Sequence, residues 1–162
     1  MTIYYSVSLT LLVIGIILFI VCKYIHKNDK KVPLKHISED LPILALSHNN
    51  KVYNFLVDTG SSFSFISPTY IDDFKIKKRV KEKTSLTTGG GNTSTDSLCT
   101  IDFSFNTKTI EVDVRPNDYL STSFENVERC KGIVLHGILG IDFAKKYINT
   151  IDFIKEVIIM KS

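Results

Sequence analysis

Residues Phe55 to Ser67 read FLVDTGSSFSFIS: three apolar side chains, an acid, a Thr-Gly pair and a second apolar run. A carboxylate leaving a core strand is costly to bury unless it is paired or hydrogen-bonded, so Asp58 needs either a local partner or a task. The plain reading is a turn, in which Asp bonds to nearby backbone and Gly takes a positive φ. The other reading is chemistry at the end of a buried strand.

The surrounding sequence is punctuated as a β protein. Leu41 to Leu46 and Lys51 to Val57 are short apolar runs around Ser47-His48-Asn49-Asn50, whose Asn pair suits a tight hairpin. Phe63 to Ile66 resumes a strand, and Ser67-Pro68 followed by TYIDDF marks the start of a short helix. Leu98 to Phe105 and Thr109 to Val114 alternate, with Ile101, Phe103 and Phe105 on one face and Ile110, Val112 and Val114 on another, joined by Asn106-Thr107-Lys108. Asp142 to Tyr147 has room for one or two helical turns, and INTIDFIKEVIIMK gives two further strands around Lys155-Glu156. No internal repeat is present, and DTG occurs once.

The N-terminal segment is a different material. Ile3 to Val21 carries no ionisable side chain other than tyrosine, and at ~1.5 Å rise per residue it reaches about the ~30 Å of a bilayer core. Only Thr2 separates the run from Met1, and VCKYIHK follows it, flanks that suit an uncleaved anchor better than a secretory signal. The expected organisation is an anchor over 1–23, a polar linker over 24–40 and a globular domain over 41–162. Lys23, Lys27, Lys30 and Lys31 crowd the C-terminal flank, so the positive-inside rule places that domain in the cytoplasm of a single-pass membrane protein.

Composition narrows the partners. A chain of 162 residues with 44% apolar side chains supports one domain with a core plus an appendage. A net charge of +3 points to no nucleic-acid partner. Cys22, Cys99 and Cys130 form no C-x-x-C pair or His-containing set, so no metal and no cofactor is expected, and Cys99 and Cys130 read as small buried hydrophobes. The run Lys75 to Lys83 reads as a solvated face, His136 as a core or edge histidine and Asp142 as a helix-start residue.

Two elements together carry a resemblance. Leu56-Val57-Asp58-Thr59-Gly60-Ser61-Ser62 before an apolar strand resembles the active-site loop of aspartic proteases, and Gly137-Ile138-Leu139-Gly140-Ile141-Asp142-Phe143 resembles their second apolar-apolar-Gly element. One copy of each is similar to the retropepsin-like, single-domain type. The resemblance implies an all-β fold: a closed β-barrel of the acid-protease type with one or two short helices, here preceded by a single transmembrane helix.

It also implies a mechanism and a set of roles. Peptide hydrolysis by two carboxylates needs one ionised, to activate water, and one protonated; like charges a few Å apart enforce that split, as is well known of this dyad. One chain supplies only Asp58, so the second carboxylate would come from another copy in a homodimer. Thr59 would bond across the two-fold axis, Gly60 would let the backbone pass close to the dyad, and Ser61 would bond the outer carboxylate oxygen. Ile138, Leu139 and Gly140 would support the loop from beneath. Gly89, Gly90 and Gly91 fall where the family carries a hairpin over its polypeptide substrate, although a glycine run also suits an ordinary surface loop.

The function expected from these residues is a membrane-anchored, homodimeric aspartic endopeptidase. The alternative is a non-catalytic barrel of the same type, used for dimerisation or peptide binding at the membrane, and the plainest is an anchored β domain whose DTG is only a turn.

Overall fold

Asn49 and Asn50 both adopt positive φ, 48° and 64°, which is the backbone a two-residue hairpin requires. They join β2 (Ile43–His48) to β3 (Lys51–Val57), paired antiparallel from Ile43↔Leu56 to His48↔Lys51. The fold is taken from a computed structural model that describes residues 13–21, 30–33, 41–88, 91–105 and 108–161. The remaining strands are β1 (Lys30–Pro33), β4 (Phe65–Ile66), β5 (Ile76–Thr88), β6 (Gly91–Phe105), β7 (Lys108–Pro116), β8 (Gly137–Leu139), β9 (Ile148–Asp152) and β10 (Val157–Met160). The helices are α1 (13–21), α2 (Tyr119–Lys131) and α3 (Ile141–Tyr147), with a 3-10 helix at Pro68–Asp73.

The strands β2, β3, β8, β4, β7 and β6 follow one another edge to edge, and β2 meets β6 again at Ser47↔Ser104. Six strands thereby close into a barrel, which removes the free edges an open sheet would expose. Buried His48 clamps the closing point. Its Nδ1 lies 2.7 Å from the Asp102 carbonyl oxygen, and Lys75 N–H donates to its Nε2 at 3.1 Å. Because Nε2 accepts, the proton is assigned to Nδ1, and one neutral ring ties β2 to β6 and to the entry of β5.

The core follows from period-two alternation. Ile101 and Phe103 of β6 and Val112 and Val114 of β7 are buried together with Leu46, Phe55 and Leu139. Phe103 meets Phe55 edge-on at 5.4 Å between centroids and Phe74 at the same separation, arrangements favourable for aromatic quadrupoles. Each hairpin expected from the sequence is present, including β6–β7 and β9–β10, and the short helix at Asp142 is α3. Ser67 stands before the 3-10 helix but makes no side-chain cap bond.

Three features depart from expectation. Helix α2 was not expected; it lies outside the barrel, where Phe124 and Val127 join Ile43, Leu56, Leu135 and Ile138 in a second apolar cluster. It ends where Gly132 takes φ 69°, its N–H bonding the Glu128 carbonyl at 2.7 Å. Lys30–Pro33, expected in the linker, is a strand: β1 lies antiparallel on β10, giving a separate sheet β1-β10-β9. Cys130, expected to be buried, is exposed, because it falls on the solvent side of α2; Cys99 is buried as expected.

Among the described residues no helix is long and apolar enough to cross a membrane. Helix α1 is apolar with every side chain exposed, and the rest of the expected anchor and most of the expected linker lie outside the described residues.

Candidate active site

Asp58 stands where β3 ends, and the neighbouring β8 holds it there. The two strands run parallel with Leu56↔Ile138 and Val57↔Leu139 in register, and Asp58 N–H continues the ladder to the Leu139 carbonyl at 3.0 Å. The turn then closes on itself: Gly60 N–H donates to Asp58 Oδ1 at 2.9 Å, and Ser61 N–H to the Asp58 carbonyl at 3.1 Å. Asp58 is half-buried, while Thr59 and Gly60 are exposed at the tip. The apolar strand therefore delivers a carboxylate to the surface with one oxygen held by a backbone N–H.

Gly140 lets the second element come close beneath this turn. A Cβ there would collide with the Phe63 carbonyl and stand 2.9 Å from the Ser61 oxygen, so backbone occupies the space a side chain would need. Ile141 N–H donates to the Ser61 carbonyl at 2.8 Å. Leu139 is fully buried under the loop, whereas Ile138 turns outward into the α2 cluster and supports the loop only through its strand.

A polar clasp not anticipated from the sequence completes the support. Ser64, fully buried, receives Gly140 N–H at its Oγ (3.0 Å) and donates that hydroxyl to Asp142 Oδ1 at 2.7 Å, while Ser64 N–H reaches Asp142 Oδ2 at 2.9 Å. Asp142 also takes Phe143 N–H at 2.7 Å, so it is the helix-start residue it was read to be, and it locks α3 to the strand after the turn. The signal was there in Phe63-Ser64-Phe65: a serine between two aromatics in a buried strand must find a partner.

Other expected residues fall differently. The Ser61 hydroxyl donates to the Phe63 carbonyl at 2.8 Å, so within one chain it is engaged away from the Asp58 carboxylate. Gly91 opens β6 opposite Thr88, and Gly89 and Gly90 lie outside the described residues. The long arms of the β5–β6 hairpin carry an open groove of about 390 Å³ lined by Ser85, Leu86, Asn92, Thr93 and Ser94. His136 precedes β8; its Nδ1 accepts Asn54 N–H at 3.0 Å, its backbone N–H donates to the Asn54 carbonyl at 2.9 Å, and burial pushes its imidazole below its ordinary pKa. The described residues contain no cluster of His, Cys, Asp or Glu able to hold a metal ion.

Across β7, Arg115 is buried with its guanidinium 4.0 Å above the Phe63 ring, and its Nη2 donates to Glu82 Oε1 of β5 at 2.9 Å. That bond holds the Glu82 carboxyl below its usual range. Nothing in the local sequence announced it.

The sequence profile of the aspartyl protease family matches residues 44–143, a span that runs from β2 into α3 and includes both elements of the site. No curated protein is significantly similar in sequence. Among solved structures, the chain is similar to a retropepsin-like aspartic protease from Rickettsia conorii, at 16% identity and TM-score 0.50, over 82% of this chain and 91% of that one. It also matches EIAV protease complexed with the inhibitor HBY-793 (20% identity, 69% and 92% covered, TM-score 0.45). A third match is simian foamy virus (mac) protease (12% identity, 64% and 91% covered, TM-score 0.38). The likeness to the Rickettsia protein is one of fold.

Proposed function

Since the chain belongs to the aspartyl protease family and has a retropepsin-like barrel, we propose that it is an endopeptidase that works as a homodimer, with Asp58 of each copy forming the catalytic pair. The observation that carries this reading is the presentation of Asp58: an exposed Thr59-Gly60 tip, a carboxylate oxygen held by Gly60 N–H, and a backbone fixed from below by Leu139 and Gly140. A solitary carboxylate cannot serve as both general base and general acid in one step, so the site is complete only when two tips meet. One carboxylate takes a proton from water as it attacks the scissile carbonyl. The other, protonated, donates to the carbonyl oxygen; as the C–N bond breaks, the first carboxyl passes the proton it took from water to the leaving amine, and the second regains one from a hydroxyl of the tetrahedral intermediate.

In this proposal Thr59 braces the two tips against each other and Ser61 turns toward the carboxylate once the second copy is present. Gly89 to Gly91 hold an extended peptide between the β5–β6 hairpin and the dyad, much as an added strand is held. Residues 1–23 anchor the chain in a membrane, supported by the length of the apolar run and by the all-round exposure of apolar α1. Residues 24–40 connect the anchor to the catalytic domain at 41–162, with Lys30–Pro33 folding back on β10, and the domain faces the cytoplasm.

The test uses the full chain in detergent or vesicles, with a mixed peptide library across about pH 4 to pH 8 and dimer content read in parallel. Cleavage that tracks the dimer and disappears in Asp58→Asn is the expected result. Cleavage that survives Asp58→Asn overturns the reading, and a well-formed dimer that binds peptides without cutting them is the outcome for a non-catalytic module.

A further inference from the structure

The β5–β6 hairpin is fastened to the Asp58 loop by a side-chain contact that strand pairing does not supply. Among the described residues, strand β5 forms one edge of the sheet and pairs with β6 alone. Along it the register moves from Lys81↔Ser97 to Thr84↔Thr95, so Glu82 and Lys83 together face the single residue Asp96, a β-bulge. Bulges re-aim side chains, and this one turns Glu82 toward Arg115. Arg115 stands on β7, paired with Phe65 of β4 and bonded through its N–H to the Ser64 carbonyl at 3.0 Å, immediately after the turn that carries Asp58.

One guanidinium therefore serves two partners. Its face lies over the Phe63 ring, and its edge donates to Glu82; a lysine ammonium could do one or the other, because only the planar group stacks and forks at once. The arrangement is a poor choice for stability alone. Arg115 is only 6% exposed, and its Nε, also buried, has no hydrogen-bond partner among the described residues. Its partner Glu82 is 42% exposed, and an ion pair with one member in solvent adds little stability, so a buried guanidinium held there calls for a different reason.

We propose that Arg115 is a positioning residue for the peptidase site: through Phe63 on one side and Glu82 on the other, it sets the β5–β6 hairpin relative to the Asp58 loop. The inference rests on the endopeptidase reading above. Lys77, which bridges β5 to Glu111 of β7 and lies 3.7 Å from Asp102, makes an exposed contact farther down the hairpin and does not touch the loop. Small misplacements of the groups that hold a substrate against its catalytic residues cost rate steeply, which is how a residue away from the dyad acts on turnover.

The experiment compares the full chain with Arg115→Met, Arg115→Lys, Glu82→Ala and the Arg115→Met/Glu82→Ala pair, measuring kcat and KM per active dimer, thermal midpoint and amide hydrogen exchange. The expected result is a thermal midpoint unchanged or raised in Arg115→Met, kcat lowered ~10-fold with a smaller change in KM, no rescue by Lys, and a double variant no worse than the worse single one. Exchange rises together at residues 61–64 and 81–84. A lowered midpoint with kcat intact makes Arg115 structural only and overturns the proposal, as do additive losses in the double variant. If the parent chain cuts no peptide, or Asp58→Asn still cuts, the endopeptidase reading fails on its own; exchange then decides the coupling, with joint loosening of the two segments supporting it and unchanged protection at either overturning it.

Discussion

Asp58, Gly140 and His136 each carry a distinct consequence. An Asn at position 58 keeps the oxygen that accepts Gly60 N–H but cannot take a proton from water, so Asp58→Asn should lower peptide cleavage at least ~1,000-fold while the thermal midpoint moves little. Gly140→Ala does the opposite. Its new methyl meets the Phe63 and Ser61 carbonyls, backbone that cannot swing away, and the loss should be about 2 kcal/mol or more in urea unfolding. A stability within about 0.5 kcal/mol of the parent would mean the loop is looser than the close approach implies. For His136, burial lowers the pKa from its ordinary 6.5, so the folded state prefers the neutral ring and the unfolded chain binds the proton first. The stability it contributes is therefore complete above about pH 6.5 and is lost as the pH falls below that value toward the folded pKa. Protonation would also set an N–H against the Asn54 N–H that Nδ1 now accepts. Thermal midpoints through that range should fall more steeply for the parent than for His136→Asn; parallel curves would assign the acid sensitivity to other groups.

At the scale of elements, what could be read from the sequence was what nearby residues dictate. Asn49-Asn50 specifies its hairpin by backbone conformation, and the alternation of Ile101, Phe103 and Phe105 specifies a strand with one buried face. Asp58 was legible because an acid after a buried strand is an anomaly. Helix α2 was not: YLSTSFENVERCK has Ser and Thr in its first half, and among its described side chains Phe124 and Val127, one turn apart, are the two that reach the second apolar cluster, too short a stripe to show a helical period. Strand β1 was hidden for a related reason. Lys-Lys-Val-Pro has the composition of a linker and becomes a strand only because β10, at the far end of the chain, accepts it. The Ser64–Asp142 clasp and the Arg115 contact likewise join residues far apart in sequence. The cluster under α2 makes the helix an integral part of the domain: Phe124, 7% exposed, should cost about 3 kcal/mol when cut to Ala, read as a lower urea midpoint at unchanged slope. A variant equal to the parent would show that α2 adds little to the barrel's stability.

For the whole molecule, the proposed sharing of one site by two chains has an arithmetic signature. If each copy contributes one carboxylate, a dimer of one normal and one Asp58→Asn chain is inactive, so mixing the two should lower activity as the square of the normal fraction. An equal mixture, allowed to exchange subunits, should retain about a quarter of the activity of the normal chain at the same total concentration, against about half if each chain works alone. The exposed Thr59-Gly60 tip and the half-buried Asp58 are the surfaces that must meet for this to hold. Dilution gives the complementary reading: in detergent, activity per chain should fall once the concentration drops below that of dimer dissociation. With the N-terminal apolar run inserted in vesicles, confinement to two dimensions raises the effective concentration of partners, and activity per chain should persist to lower bulk concentrations. Linear dependence on the normal fraction would rule out the shared site, and identical dilution curves in detergent and vesicles would show that the apolar segment does not bring the two halves together.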